Sequence, residues 1–321
     1  QRGSPTIGYR RPSPLDRQES VVRSTGRPAM SSTPRALLRE ARPKQWLKNV
    51  LVFAAPGAAG VLDDFSSLWK TLVVFAALSL AASGTYYWND IVDVDSDRRH
   101  PTKRTRPIAA GLVGINVARV VGTLLLIGGI ALGFVPDWRS GVAVVVYVAV
   151  TVSYSAFLKN HAVIDLIAVA SGFVIRAIAG AEAAGVPMST WFLLCTSCGS
   201  LFIVTGKRYA ELRDLGDEAP STRSTLSQYS LGYLRIVLSV SVGATLVAYC
   251  TWAFDTKEIS GGSWPFYELS IVPMLAALLR YLLVLEQGQG GAPEEVFAAD
   301  RVLQLMGLIW LALFGLGVYV G

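Results

Sequence analysis

The sequence predicts an all-α integral membrane protein, a bundle of nine transmembrane helices, and three observations predict it. Charged residues make up only 16% of the 321, and hydrophobic ones 52%, whereas soluble domains carry about 25% charged residues. The apolar residues gather into long continuous runs, unlike the ten-residue alternations of a membrane barrel. The basic residues, finally, concentrate on one side of those runs, as expected of a chain that crosses a membrane repeatedly.

Crossing the hydrocarbon takes roughly 20 apolar residues, and nine runs approach that length: 47–62, 69–88, 115–135, 139–157, 163–184, 189–206, 231–254, 268–286 and 302–320. The first is the weakest. It is short and holds Pro56 and several glycines, so a kinked span or a partly interfacial helix is expected there. Residues 1–35 read as a separate unit, a disordered basic tail on the cytosolic side, because Arg, Ser and Pro dominate without apolar periodicity. They show no apolar core followed by a small-residue cleavage site, so no signal peptide is expected. The transmembrane unit is then 36–321.

With the N-terminus in the cytosol, 22 of the 29 Lys and Arg fall on the cytosolic side, against only Lys70, Arg139 and Lys257 in the outer loops. The remaining four, Arg119, Arg176, Arg235 and Arg280, lie within spans. This asymmetry turns the charged stretch toward the cytosol, and a multi-pass protein of the plasma (inner) membrane is expected. The net charge of +6 is therefore topology, and no basic patch with interleaved aromatics points to nucleic acid. Cys195, Cys198 and Cys250 all fall in spans. Without a second Cys or His pair they read as small packing residues and not as a metal site.

The chemistry gathers at one membrane edge, in WNDIVDVDSDRRHPTKRTRPIAAG, residues 88–111. Asn89, Asp93 and Asp97 repeat every four residues and Asp90 precedes Asp93 by three, so a continued helix puts them on one face. Asp95 points elsewhere. Carboxylates this dense repel one another unless a cation neutralises them. Hard oxygen donors favour Mg²⁺, which takes one or two carboxylates together with substrate phosphates. Asp90, Asp93 and Asp97 are the expected metal ligands and catalytic residues. The basic run beyond them, Arg98, Arg99, Lys103, Arg104 and Arg106, can hold the diphosphate oxygens that the metal does not, with Arg104 and Arg106 the leading candidates.

Two further cytosolic stretches carry candidates. YSAFLKNHAVID supplies Tyr154, Lys159, His161 and Asp165. GKRYAELRDLGDE supplies Lys207, Arg208, Glu211, Asp214 and Asp217. Arg176, inside the apolar GFVIRAIAG, is a candidate for substrate binding or for a buried partner, because an intramembrane charge is costly. Arg280 is expected to reach toward the cytosol instead.

Nine spans, the Asn-Asp-x-x-Asp-x-x-x-Asp pattern closing the second, and a charged loop after the sixth resemble the UbiA-type prenyltransferase superfamily, over essentially residues 36–321. Within it, RPKQWLKNVLVFAAP at 42–56, KRYAEL at 207–212 and YSAFLK followed by GFVIRAIAGA are similar to the actinobacterial branch that glycosylates a lipid phosphate. The resemblance implies a UbiA-type bundle with a cytosol-facing active site. It also implies a Mg²⁺-dependent transfer of 5-phosphoribose from phosphoribosyl pyrophosphate (PRPP) to decaprenyl or another polyprenyl phosphate. Pyrophosphate would leave, and the product would feed arabinogalactan and lipoarabinomannan synthesis.

One departure matters. Where ordinary members carry a second aspartate-rich motif, this chain reads Lys207, Arg208 and Glu211, with aspartates only later. Fewer acids and more cations suit another anion better than a second metal cluster, so Glu211 and Asp214 stand only as candidates.

The expected chemistry is loss of the diphosphate from an oxocarbenium-like ribosyl centre, with charge neutralised by Mg²⁺, for which Mn²⁺ is a plausible substitute. The nucleophile is already an anion, so neither His100 nor His161 is needed as a base. Lys44, Lys48 and Lys159 are candidates for the lipid phosphate, and Lys159, Arg176, Lys207 and Arg208 are the cations available for the 5-phosphate of PRPP. The isoprenoid tail lies along apolar helices in the bilayer. A UbiA-type enzyme joining a prenyl diphosphate to an aromatic ring is the second reading. A transporter is the third, weakened because the acids sit at the membrane edge and not near the midplane. A homo-oligomer is left open.

Overall fold

The computed structural model describes residues 33–215, 225–261, 263–288 and 293–320. The expected tail over 1–35 lies almost wholly outside them, as does Asp217. All regular structure among the described residues is helical.

Helix α1 (Pro34–Glu40) opens on Thr33, whose hydroxyl accepts from the Ala36 N–H, and carries proline at its first turn, where a missing N–H costs nothing. It ends at Glu40, and Arg42, a left-handed residue (φ 53°) directly before Pro43, turns the chain into the next segment. The expected first span is not a continuous α-helix. Pro43–Phe53 forms a 3₁₀ helix and α2 (Ala54–Ala58) is one short turn more. Three residues per turn stack Trp46, Asn49, Val52 and Ala55 on one side. That side is zipped to α3, since Trp46 Nε1 donates to Ser83 Oγ at 3.0 Å and Asn49 Nδ2 to Ser79 Oγ at 2.9 Å. Further along, the segment presses on α7, where a Cβ added to Gly180 would overlap the Val52 carbonyl oxygen.

The long helices follow: α3 (Phe65–Val92), then the short α4 (Val94–Arg99), α5 (Ile115–Gly133), α6 (Trp138–Ala156), α7 (Ile164–Ala184), α8 (Thr190–Leu215), α9 (Leu231–Ser260), α10 (Phe266–Glu286), the short α11 (Pro293–Ala299) and α12 (Arg301–Tyr319). Among the described residues seven of them (α3, α5, α6, α7, α9, α10 and α12) are long and apolar enough to cross a membrane. Helix α8 contains the expected sixth span, but its last two turns carry the charges of KRYAELRD.

Two cores build the bundle. In the first, α3, α5, α6, α7 and the 3₁₀ segment pack through small residues: Gly129 lies on the α3 backbone at Ala77 and Ala81, and Gly122 lies on Tyr87. Close backbone approach of this kind drives helix association in lipid. In the second, α8 to α12 pack through larger side chains such as Phe202, Tyr209, Tyr281 and Leu285. The ends of α3, α6 and α8 meet at one end of the bundle, and the charged stretches meet there too.

Candidate active site

Helix α3 stops at Val92 because Asp93 leaves the helical region (φ −88°, ψ 4°), and α4 resumes at Val94. The expected single face is therefore interrupted. Asn89, Asp90 and Asp93 still line one cavity of about 600 Å³, while Asp97 is drawn underneath. Asp90 and Asp97 are both buried, at 3% and 2% exposure, and arginines hold them. Arg42 Nη2 donates to both Asp90 oxygens, at 2.7 and 2.5 Å. Arg106 Nη1 bridges the two acids, at 3.0 Å to Asp90 and 2.7 Å to Asp97. A buried carboxylate stripped of such a partner costs about 3–5 kcal/mol, so these ties hold the end of α3 to both α1 and the loop after α4.

Glu40 lies sealed against this cluster at 1% exposure, with neither carboxylate oxygen hydrogen-bonded among the described residues. Burial, and then the neighbouring Asp90, push its pKa up to about 8, which keeps it protonated at neutral pH. The Arg42 guanidinium stacks 4.7 Å from the Tyr86 ring.

The opposite wall comes from α6 and the turn after it, with Tyr154 and Lys159, and from Lys103 on the loop after α4. The structure thus unites the first two charged stretches in one cavity. Arg104 is exposed and does not line it. Sequence reasoning missed Arg42, Tyr86 and Glu40. Arg42 stood in the quoted RPKQW, where the signal was an arginine directly before a proline at the membrane edge.

The third stretch behaves differently. Arg208, only 3% exposed, gives Nε to Asp165 Oδ2 at 3.2 Å, Nη1 to Glu211 at 2.9 Å and Nη2 to the Tyr154 hydroxyl at 3.4 Å. The fully buried Asp165 also accepts from the Tyr229 hydroxyl at 2.5 Å, and that hydroxyl in turn accepts the Val163 N–H at 2.6 Å. Burial first, and the Asp165 bond second, raise the Tyr229 phenol. Val163 has φ 70°, a strained conformation for a β-branched residue. Its N–H is aimed at Tyr229 because of it. Arg208, expected to bind substrate, is spent on this lock. Lys207 stands 3.9 Å from Glu211, and none of Lys207, Glu211 and Asp214 lines the cavity.

Arg176 is a lock as well. It is buried with neutral partners: Nε donates to Asn49 at 2.7 Å, Nη1 to the Gly172 carbonyl at 2.7 Å and Nη2 to the Tyr147 hydroxyl at 3.0 Å. It ties α7 to the 3₁₀ segment and to α6, away from the cavity, and is thus not placed to touch substrate. On that segment Lys44 is exposed, while Lys48 lies on the wall of a second cavity of about 530 Å³. The rest of that wall is almost wholly apolar, with Phe53, Phe173, Phe192, Trp252 and Phe314 among its residues. Cys195 joins this wall, and all three cysteines are free thiols.

Among the described residues no three His, Cys, Asp or Glu side chains converge as a preformed metal site. The donor set still fits Mg²⁺. Asn89 and Asp93 offer hard oxygens to the cavity, and this ion completes its shell with substrate phosphates and water.

Residues 50–318 match the UbiA prenyltransferase family. The decaprenyl-phosphate phosphoribosyltransferase of Mycobacterium tuberculosis H37Rv is 43% identical over 289 residues, 89% of this chain and 95% of that one. Its namesake in Corynebacterium glutamicum is 40% identical over 288 residues, covering 88% and 87%. Among solved structures, a UbiA homologue from Archaeoglobus fulgidus bound to GPP and Mg²⁺ superposes with a TM-score of 0.63 at 16% identity, over 89% of this chain and all of the other. At that identity the likeness concerns the fold.

Proposed function

The chain belongs to the UbiA prenyltransferase family, and from that premise we propose that it transfers 5-phosphoribose from PRPP to decaprenyl phosphate, releasing pyrophosphate. The observation that carries this reading is the 40–43% identity to decaprenyl-phosphate phosphoribosyltransferases over nearly the whole of both chains. The two cavities agree with it. One is lined by acids, amides and cations and suits a phosphorylated sugar; the other is apolar with Lys48 on its wall and suits an isoprenoid phosphate. The product supplies arabinose for arabinogalactan and lipoarabinomannan. The basic asymmetry of the loops supports a site on the cytosolic face of the plasma membrane.

Asn89, Asp90 and Asp93 would hold Mg²⁺, with Asp97 fixed beneath them by Arg106. When bound, the ion neutralises charge on the departing diphosphate. Arg42 and Arg106 reach the same place and exchange a carboxylate for diphosphate oxygens as the donor settles, placing fixed positive charge where negative charge develops. The anomeric carbon becomes oxocarbenium-like and an oxygen of the acceptor phosphate closes on it. That oxygen is already ionised, so no side chain has to remove a proton. Lys44 and Lys48 receive the acceptor phosphate at the mouth of the apolar cavity.

Purified protein incubated with labelled PRPP and decaprenyl phosphate should yield a labelled, solvent-extractable lipid and free pyrophosphate. No label in lipid, together with prenylation of an aromatic acid from a prenyl diphosphate, would replace this reading with the aromatic one.

A further inference from the structure

We propose that Lys103 and Lys159 form a second anion subsite in the polar cavity, one built for a phosphate monoester and filled by the 5-phosphate of the donor. The proposal rests on the reading of the donor as PRPP and says where its far end lies.

Four cations line this cavity among the described residues: Arg42, Lys103, Arg106 and Lys159. They divide cleanly. Both arginines are paired with the acids at the end of α3. Both lysines are half-buried, and no carboxylate among the described residues lies within ion-pair distance of either. A charge partly withdrawn from water without a counter-ion is unfavourable until an anion arrives. The acids and arginines account for a metal and a diphosphate. A sugar bearing a second, separate phosphate needs further cations, and these two lysines are the ones left facing the space.

Both lysines are held in place relative to the acids. Lys103 begins the 3₁₀ turn Lys103–Thr105, three residues before Arg106, whose guanidinium bridges Asp90 and Asp97. Lys159 sits in the 3₁₀ turn Leu158–Asn160. That turn leads into Val163, which is pinned through the Tyr229 hydroxyl to Asp165 and so to Arg208. The buried lock around Arg208 thereby acquires a use: it fixes the loop that presents Lys159. A polyprenyl phosphate offers the same monoester chemistry. Its tail, however, belongs in the apolar cavity, whose wall includes Lys48 and neither of these lysines.

The test compares three ligands on the full chain in detergent with Mg²⁺: PRPP, pyrophosphate and geranyl phosphate. Lys103→Gln and Lys159→Gln should each weaken PRPP binding about tenfold or more, the scale of a charged hydrogen bond, with pyrophosphate within about threefold. Lys159→Arg should keep most of the PRPP affinity. The thermal midpoints of the ligand-free variants should not fall, because no pairing is lost. Equal weakening of PRPP and pyrophosphate would overturn the proposal by assigning the lysines to the diphosphate. Unchanged PRPP binding with weakened geranyl phosphate binding would overturn it in favour of the acceptor. A wild-type protein that binds pyrophosphate and ignores PRPP would overturn the donor assignment itself, and the subsite with it.

Discussion

Two clusters of buried charge stand at the same end of this bundle, built from the same residue types. At the end of α3, Asp90 and Asp97 meet Arg42 and Arg106, whose side chains are each 28% exposed. At the end of α8, Asp165 and Glu211 meet Arg208, whose side chain is 3% exposed. The first set of arginines faces a cavity and can trade its carboxylates for another anion. The second is closed by Tyr229 and Tyr154 and can trade nothing. Access separates a binding charge from a structural one, and residue type does not.

Five experiments would break or sharpen that contrast. The largest effect should come from metal removal: excess EDTA should abolish transfer, Mg²⁺ should restore it and Mn²⁺ should substitute, all read by labelled lipid. Turnover that persists without a divalent ion would separate the acids of the open cluster from catalysis. Next, Arg208→Ala leaves Asp165 buried without its cation. That should destabilise the fold by about 3–5 kcal/mol, seen as a sharp loss of folded protein, while the protein that does fold should still bind pyrophosphate. A well-folded Arg208→Ala protein unable to bind pyrophosphate would make the closed cluster a ligand site after all.

Asp93, half-exposed on the cavity wall, should respond the other way. Asp93→Asn should lower transfer by about 10²–10³, the cost of losing one preorganised electrostatic partner, with the melting temperature preserved. Asp95→Asn should be mild, because Asp95 is 84% exposed and, among the described residues, pairs only with Arg98. The smallest effect concerns pH. The carboxyl of Glu40 is raised from 4.5 to about 8 in the fold, so the native state holds a proton that the unfolded chain releases. Its contribution is present at low pH and fades as pH rises through that window. Glu40→Gln should flatten this decline in a series of thermal melts between those limits, and parallel curves for both proteins would remove Glu40 from the balance.

Much of this could be read from residues alone. Long apolar runs specify helices, and the spacing of Asn89, Asp90 and Asp93 marks the polar cavity because all three stand at the end of α3, whereas Asp97 lies beyond the break at Asp93 and is buried beneath them. What escaped depended on distant partners. Residues 47–62 look like a poor span; in the fold Pro43–Phe53 is a 3₁₀ helix packed against Ser79, Ser83 and Gly180, and the short α2 follows it. Arg208 reads as a ligand for phosphate until Asp165 and Tyr229, 43 and 64 residues away from their partners in the chain, enclose it. Lys207 and Arg208 are adjacent in sequence, yet one is open and the other sealed, and no spacing rule tells them apart. Arg176 reads as a substrate ligand from the cost of an intramembrane charge, whereas in the fold its guanidinium is taken up by Asn49, the Gly172 carbonyl and Tyr147.

Val163 carries a lesson for anyone who evolves this protein in the laboratory. It is 42% exposed and holds a backbone shape that glycine adopts freely. A screen that scored only heat resistance would drift toward glycine at this position, since the strain disappears and little packing is forfeited. The price would surface in a different assay, because a loop free to relax no longer aims its N–H at Tyr229 and Lys159 loses its fixed bearing. Libraries selected for robustness and libraries selected for turnover should therefore part ways at residue 163.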